Sequence, residues 1–193
     1  MKEIILATSN AHKVREIKEI LGAKFTHIYT LADKGIDVEV EETGSTFMEN
    51  AIIKARAIAE IANMPALADD SGLCVDALNG EPGVYSARYS GVHGDSRANN
   101  ELLLSKLSDV EDCDRSARFK CAVALVCPDG DTVTAEGAAE GIITRSYCGR
   151  GGFGYDPIFY SLDLDKTFAE ASEEEKNAVS HRGRALAALV DKL

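Results

Sequence analysis

The chain has 193 residues, 45% hydrophobic and 27% charged, the balance of an ordinary globular protein with room for a substantial core. Its 21 basic and 32 acidic residues leave a net charge of −11, which argues against duplex nucleic acid or an anionic membrane as a partner, since both select a basic face. No apolar run reaches membrane-spanning length, and MKEIILATSN is too short an apolar start for a signal peptide. The five cysteines show neither a C-x-x-C pair nor zinc spacing, so reduced core thiols in the cytoplasm are expected.

Lys2 to Thr8 reads as a first strand, with Ser9 or Asn10 capping a helix in which Val14, Ile17 and Leu21 recur at helical spacing. Phe25 to Leu31 reads as a second strand. Thr46-x-x-Glu49 is a capping-box pattern, opening a helix with Phe47, Ala51, Ile58, Ile61 and Ala62 on its apolar side and Pro65 beyond its end. Ala66 to Ala68 starts a further strand. Asn79-Gly80 and Pro82-Gly83 mark turns, and Arg97 to Leu107 reads as helix. Phe119 to Cys127 and Thr132 to Glu136 flank Pro128-Asp129-Gly130 as a hairpin, with Cys121 and Cys127 on one side of their strand by even spacing. Ile142 to Arg145 extends the sheet. A glycine cluster covers Gly149 to Gly154. Ser172-x-x-Glu175 is a second capping box, and Leu186, Leu189, Val190 and Leu193 indicate a terminal helix. Early strand–helix alternation followed by a hairpin predicts an α/β fold around a mixed sheet with flanking helices.

Four segments carry candidate chemistry. In ATSNAHK a strand runs through a polar loop into a helix start, where free amides and the helix dipole favour anions. Lys13 there is either a phosphate partner or a solvated lysine. GRGGFGYDP matches G-x-G-x-x-G by letter, but Asp156-Pro157 follows in place of a long helix, so neither a dinucleotide fold nor a Walker loop is expected. Phe153 and Tyr155 there either stack on a base or anchor the loop to the core. EKNAVSHRGR concentrates Lys176, His181, Arg182 and Arg184 in an acidic chain, as donors to a ligand or as a solvated helix face. ALADDSGLCV sets Asp69 and Asp70 at the end of an apolar run. Buried charges there need a partner or a metal, and strand alternation sends neighbours to opposite faces. With Glu41 and Glu42, these acids have the hard-oxygen character that Mg²⁺ prefers.

Taken together, the stretches ATSNAHKVREIKEIL, EETGSTFMENAIIKARA, ALADDSGLCVDALNGEPGVYSARYSG, GGFGYDPIF and EKNAVSHRGRAL resemble, in order and over nearly the whole chain, the inosine triphosphate pyrophosphatase (dITP/XTP pyrophosphatase) family, in its bacterial-type branch. The resemblance implies a single 1–193 domain with an elongated, two-lobed α/β fold, a nucleotide cleft between the lobes, and a homodimer. It implies Mg²⁺-dependent hydrolysis of non-standard purine nucleoside triphosphates (ITP, dITP, XTP) to monophosphate and pyrophosphate, cleansing the nucleotide pool. By the same resemblance, Thr8, Ser9, Asn10, Ala11, His12 and Lys13 form the phosphate turn, and Lys54 reaches the phosphates. Glu41 and Asp70 hold the metal, Asp70 is also the proton acceptor, and Ser71 contacts substrate. Phe153, Gly154, Tyr155, Asp156, Lys176, His181 and Arg182 bind the nucleotide. Ser9 stands where many members have glycine, a change that bears on the turn's backbone. Rival readings are a nucleotide sensor without turnover, which has little use for the acids, and a pyrimidine nucleotide pyrophosphatase, against which the SHRG segment speaks.

Overall fold

The computed structural model describes residues 3–193, so Lys2, at the start of the first expected strand, lies outside the described residues. In chain order the elements are β1 (Glu3–Leu6), α1 (Ala11–Leu21), β2 (His27–Tyr29), α2 (Phe47–Ala62), β3 (Ala66–Val75), α3 (Ser96–Lys106), β4 (Ser116–Val126), β5 (Thr132–Ile143), β6 (Phe159–Ser161), β7 (Lys166–Thr167), α4 (Glu173–Val179) and α5 (His181–Val190). They build a seven-stranded sheet in the order β2-β1-β3-β4-β5-β6-β7. β1 runs parallel to β2 and β3, whereas β5, β6 and β7 are antiparallel, so the sheet is mixed. Among the described residues no helix is long and apolar enough to cross a membrane.

Two compact units share the chain. The first combines the residues up to Asp70 with Cys121–Gly137 and Arg182–Leu193; the second combines Ser71–Lys120 with Ala138–His181. In the first unit the strands are apolar on both faces, which explains their unbroken hydrophobic runs. Ile4, Leu6, Leu67, Cys121, Val123 and Leu125 pack with Ile17 and Leu21 of α1 and Leu186 and Leu189 of α5. Their neighbours in sequence, Ile5, Ala66, Ala68, Ala124 and Val126, pack instead with Ala51, Ala55 and Ile58 of α2. This is the period-two alternation of a strand covered on both sides, and each fully buried Ile or Leu contributes about 1.5–3 kcal/mol. The second unit has its own core, in which Phe119 meets Phe159 edge-on at 4.7 Å and lies 5.9 Å from Phe168.

Local capping signals translate directly into structure. Asn10, rather than Ser9, caps α1, and both Thr46–Glu49 and Ser172–Glu175 form complete capping boxes. Several expectations are corrected. β3 does not end at its aspartates but continues to Val75. Ile142 and Ile143 close β5, and Arg145 lies beyond it. Ile61 is exposed, because the buried stripe of α2 runs through Ala51, Ala55, Ile58 and Ala59 and leaves Ile61 at its edge. Leu193 is exposed beyond the end of α5.

Candidate active site

The polar residues of the first unit gather where β1 and β3 meet α1 and α2. Asn10 accepts from the amides of His12 (3.0 Å) and Lys13 (3.3 Å), and its own amide donates to Thr8 Oγ1 (3.2 Å), so a short side-chain lattice sets the turn. Ser9 is not among the non-glycine residues with positive φ, so the turn accommodates serine without left-handed strain. Ser9, Asn10, Ala11 and His12 are exposed. Lys13 is not a solvated lysine: its ammonium pairs with Asp69 Oδ2 at 3.0 Å.

Asp69 is almost completely buried and also accepts from Arg182 Nε at 3.1 Å. Arg182, itself 1% exposed, donates a second, very close hydrogen bond to Glu16 of α1. Burial acts to raise the Asp69 pKa, but Lys13, Arg182 and Lys54 outweigh it and hold the carboxyl well below the usual range. Asp70, one residue on, turns to the α2 side, where Asn50 Nδ2 donates to its Oδ2 at 3.0 Å. Asn50 Oδ1 accepts from the Gly44 amide at 2.8 Å, which ties the incoming loop to the same carboxylate. Lys54 Nζ bonds the Asp69 carbonyl at 2.8 Å and Glu42 at 2.5 Å, and lies 3.9 Å from Asp70 Oδ1. Burial pushes the Asp70 pKa up; Lys54 opposes this and Glu42 adds to it, leaving the group raised. The acid brought to Lys54 is therefore Glu42, while Glu41 is exposed. Among the described residues no group of three or more His, Cys, Asp or Glu side chains forms a ready-made metal cage.

In the second unit, Asp156 Oδ2 accepts from the Phe153 amide (2.8 Å) and from Lys176 Nζ (2.7 Å). The Lys176 ammonium lies 4.5 Å from the centre of the Phe153 ring, a cation–π contact. Lys176, His181 and Arg182 are buried, so EKNAVSHRGR is not a solvated face in these positions, whereas Arg184 is exposed. Tyr155 is a core anchor instead of a stacking surface: its ring is buried and its hydroxyl donates to the Ser86 carbonyl at 2.9 Å. Phe153 stays half-buried, and Ser71 is half-buried on β3. His181 is buried and stacks on Phe119 with ring centres 4.8 Å apart.

Glu16 and Asn50 were not among the residues singled out in the sequence. Glu16 follows Lys13 by three positions on one helix face, and Asn50 sits four positions after the Thr46 cap. Both spacings are visible in sequence and mark polar groups on a buried face.

A mixed α/β sheet bearing a buried lysine–carboxylate centre, with a lysine-backed aromatic loop in the second unit, is the class of protein defined by this fold and these residues. The chain belongs to the Ham1 family, whose model matches residues 4–192. It is 50% identical to the dITP/XTP pyrophosphatase of Clostridium perfringens, covering 100% of this chain and 98% of that one. It is 52% identical to the dITP/XTP pyrophosphatase of Bacillus subtilis, over 96% and 94% of the two chains. Among solved structures, the Ham1 protein of Staphylococcus aureus aligns with TM-score 0.86 at 46% identity, covering 97% of this chain and 96% of the other. The HAM1 protein of Coxiella burnetii aligns with TM-score 0.88 at 44% identity, covering 98% and 96%.

Proposed function

We propose that the protein hydrolyses non-standard purine nucleoside triphosphates (ITP, dITP and XTP) to the monophosphate and pyrophosphate, clearing deaminated purines from the nucleotide pool. The observation that carries this reading is the Asp70 carboxylate, buried and raised in pKa beside Lys54, Glu42 and Asn50. The names of relatives about 50% identical over the whole chain support the substrate class.

Each residue has a chemical task in this reading. Lys13 and Lys54 offset the polyphosphate charge that an acidic protein otherwise repels. Asp70 takes the proton from the attacking water; a carboxyl raised toward the working pH is a better proton acceptor than an ordinary one. Asn50 fixes the Asp70 rotamer by donating to Oδ2, while Lys54 lies 3.9 Å from Oδ1. The Thr8–Lys13 turn binds phosphate oxygens through backbone and side-chain donors. Phe153, backed by Lys176, gives the base a flat apolar face. Donors from His181 and Arg182 suit a 6-oxo purine and repel the amino group of adenine. Buried donors left unpaired discriminate by about 10⁴-fold.

An all-oxygen pair of carboxylates, Asp70 with Glu41 or Glu42, fits Mg²⁺, which keeps several waters and needs only one or two protein carboxylates beside the substrate phosphates. When bound, the ion supplies charge neutralisation at the phosphate oxygens. The reading also includes a homodimer, no nucleic-acid partner, as the net charge of −11 supports, and a reducing, cytoplasmic setting, which five free thiols suit.

The test is incubation with ITP, dITP, XTP, GTP and ATP, with and without Mg²⁺, and identification of the released phosphate by ³¹P NMR. Pyrophosphate from the first three, and only with the metal, is expected. Orthophosphate as first product, or equal rates on ATP and ITP, rejects the assignment. Sedimentation equilibrium tests the dimer.

A further inference from the structure

α3 carries two adjacent buried asparagines, Asn99 and Asn100. Buried amides are normally fully hydrogen-bonded, because each unpaired group retains its desolvation cost. Asn99 meets that rule. Its Oδ1 accepts from the Ser90 amide (2.7 Å), and its Nδ2 donates to the carbonyls of Ser86 and Ala87, both at 3.3 Å. Asn100 does not. Its Nδ2 donates to the Gly154 carbonyl at 3.0 Å, while its Oδ1 is buried with no hydrogen-bond partner among the described residues. The orientation is set by the contact itself, since a flipped amide would face oxygen against oxygen.

The bond closes a bracket around two residues. Phe153 is held at its amide by Asp156 (2.8 Å), and Gly154 is held at its carbonyl by Asn100. Gly154 has φ of +62°, a left-handed conformation whose position depends on such anchoring. The Asn100 donor is the side-chain hydrogen bond at the Gly154 carbonyl, between the Phe153 backbone, which exchanges bonds with Asp156, and the buried Tyr155.

We propose that Asn100 is a positioning residue for base recognition: it fixes the Phe153–Gly154 pair in the conformation that presents the aromatic face to the purine. This rests on the reading of that loop as the base-binding segment. The unpaired Oδ1 is then the cost of an amide retained for its donor alone.

Asn100→Asp keeps the shape and replaces the donor by an acceptor facing a carbonyl. Asn100→Ala removes the group without adding charge. Each is compared with wild type for KM and kcat on dITP and XTP, for inhibition by inorganic tripolyphosphate, and for melting temperature. Both variants are expected to raise KM about tenfold, to leave kcat within about threefold, and to leave tripolyphosphate inhibition unchanged, because only the base end loses its support. Unchanged KM overturns the proposal, as does a KM rise matched by weaker tripolyphosphate inhibition. If the Asp variant does not fold, the Ala variant decides. Wild-type protein inactive on dITP and XTP overturns the parent reading together with this one, and that result is distinct from an active Asn100 variant with wild-type KM.

Discussion

Asp69 and Asp70 are neighbours on β3 and face opposite ways: Asp69 reaches Lys13 and Arg182 at 3.0 and 3.1 Å, whereas Asp70 reaches Asn50 at 3.0 Å. The first is neutralised by two cations and does structural work. The second is raised mainly by burial, with Lys54 opposing and Glu42 adding, and in the proposed function it is the proton acceptor. Asp70→Asn is therefore expected to cut turnover of dITP by about 10³-fold while the far-UV circular dichroism stays that of wild type. Asp69→Asn leaves Lys13 and Arg182 without their shared counter-ion and is expected to cost on the order of 3 kcal/mol in urea unfolding. Equal stability losses in the two variants contradict this division.

The same pair predicts opposite pH behaviour. Asp69 titrates below its ordinary value in the folded chain, so its contribution to stability is complete above a pH of about 4 and is lost as pH falls through that range toward its depressed folded value. Asp70 is raised, so its ionisation costs stability at neutral pH, and the cost disappears on acidification. Urea midpoints measured from pH 7 to pH 3 should show the Asp69→Asn deficit shrinking with acid. Asp70→Asn should be at least as stable as wild type at pH 7, since asparagine still accepts from Asn50. A deficit for Asp69→Asn that is independent of pH rejects the linkage.

What could be read in the sequence was local. Asn10, Thr46–Glu49 and Ser172–Glu175 announce helix starts because the capping groups lie within three residues of the amides they satisfy. The mixed sheet followed from the order of alternating and hairpin segments. The partner of Asp69 is a different matter: Arg182 lies 113 residues away, and nothing near either residue announces the pairing. Lys176 and Arg182 sit in a charge-rich run that commonly stays in water, yet both are buried by distant carboxylates. Whether Glu41 or Glu42 turns toward Lys54 depends on a loop path without regular periodicity, so alternation gave no answer there.

Gly152 offers a test of the second unit's loop. Its φ is +70°, and a Cβ placed there would lie 2.2 Å from Asp156 Oδ2, the atom that holds both the Phe153 amide and the Lys176 ammonium. Gly152→Ala is expected to lower stability by about 1–3 kcal/mol and to raise the KM for dITP more than it lowers kcat. A variant with wild-type melting temperature and KM contradicts the packing described for this carboxylate.

Cysteine reactivity should separate by environment. Burial, with Asp69 adding to it, pushes the Cys121 thiol up to about 12, while Cys113 is exposed. The thiolate is the reactive form, so iodoacetamide at pH 8 should label Cys113 in the native protein and Cys121 only after denaturation. Peptide mass spectrometry reads both sites. Native labelling of Cys121 at the Cys113 rate contradicts the packing of the first core.

Arg182 combines the two kinds of demand. Its guanidinium is buried against Asp69 and Glu16, so Arg182→Ala removes the shared partner of two carboxylates and is expected to lower the melting temperature markedly. Arg182→Lys keeps the charge but loses the planar fork that serves both acids at once, and should fall between wild type and Ala in stability. If its donors also serve a 6-oxo purine, the Lys variant must lose preference for ITP over ATP out of proportion to its stability loss, with inhibition by tripolyphosphate nearly unchanged. The ratio of kcat/KM values for ITP and ATP, measured well below the melting temperature, makes that separation. A Lys variant that retains the wild-type ratio confines Arg182 to holding Asp69 and Glu16 in place.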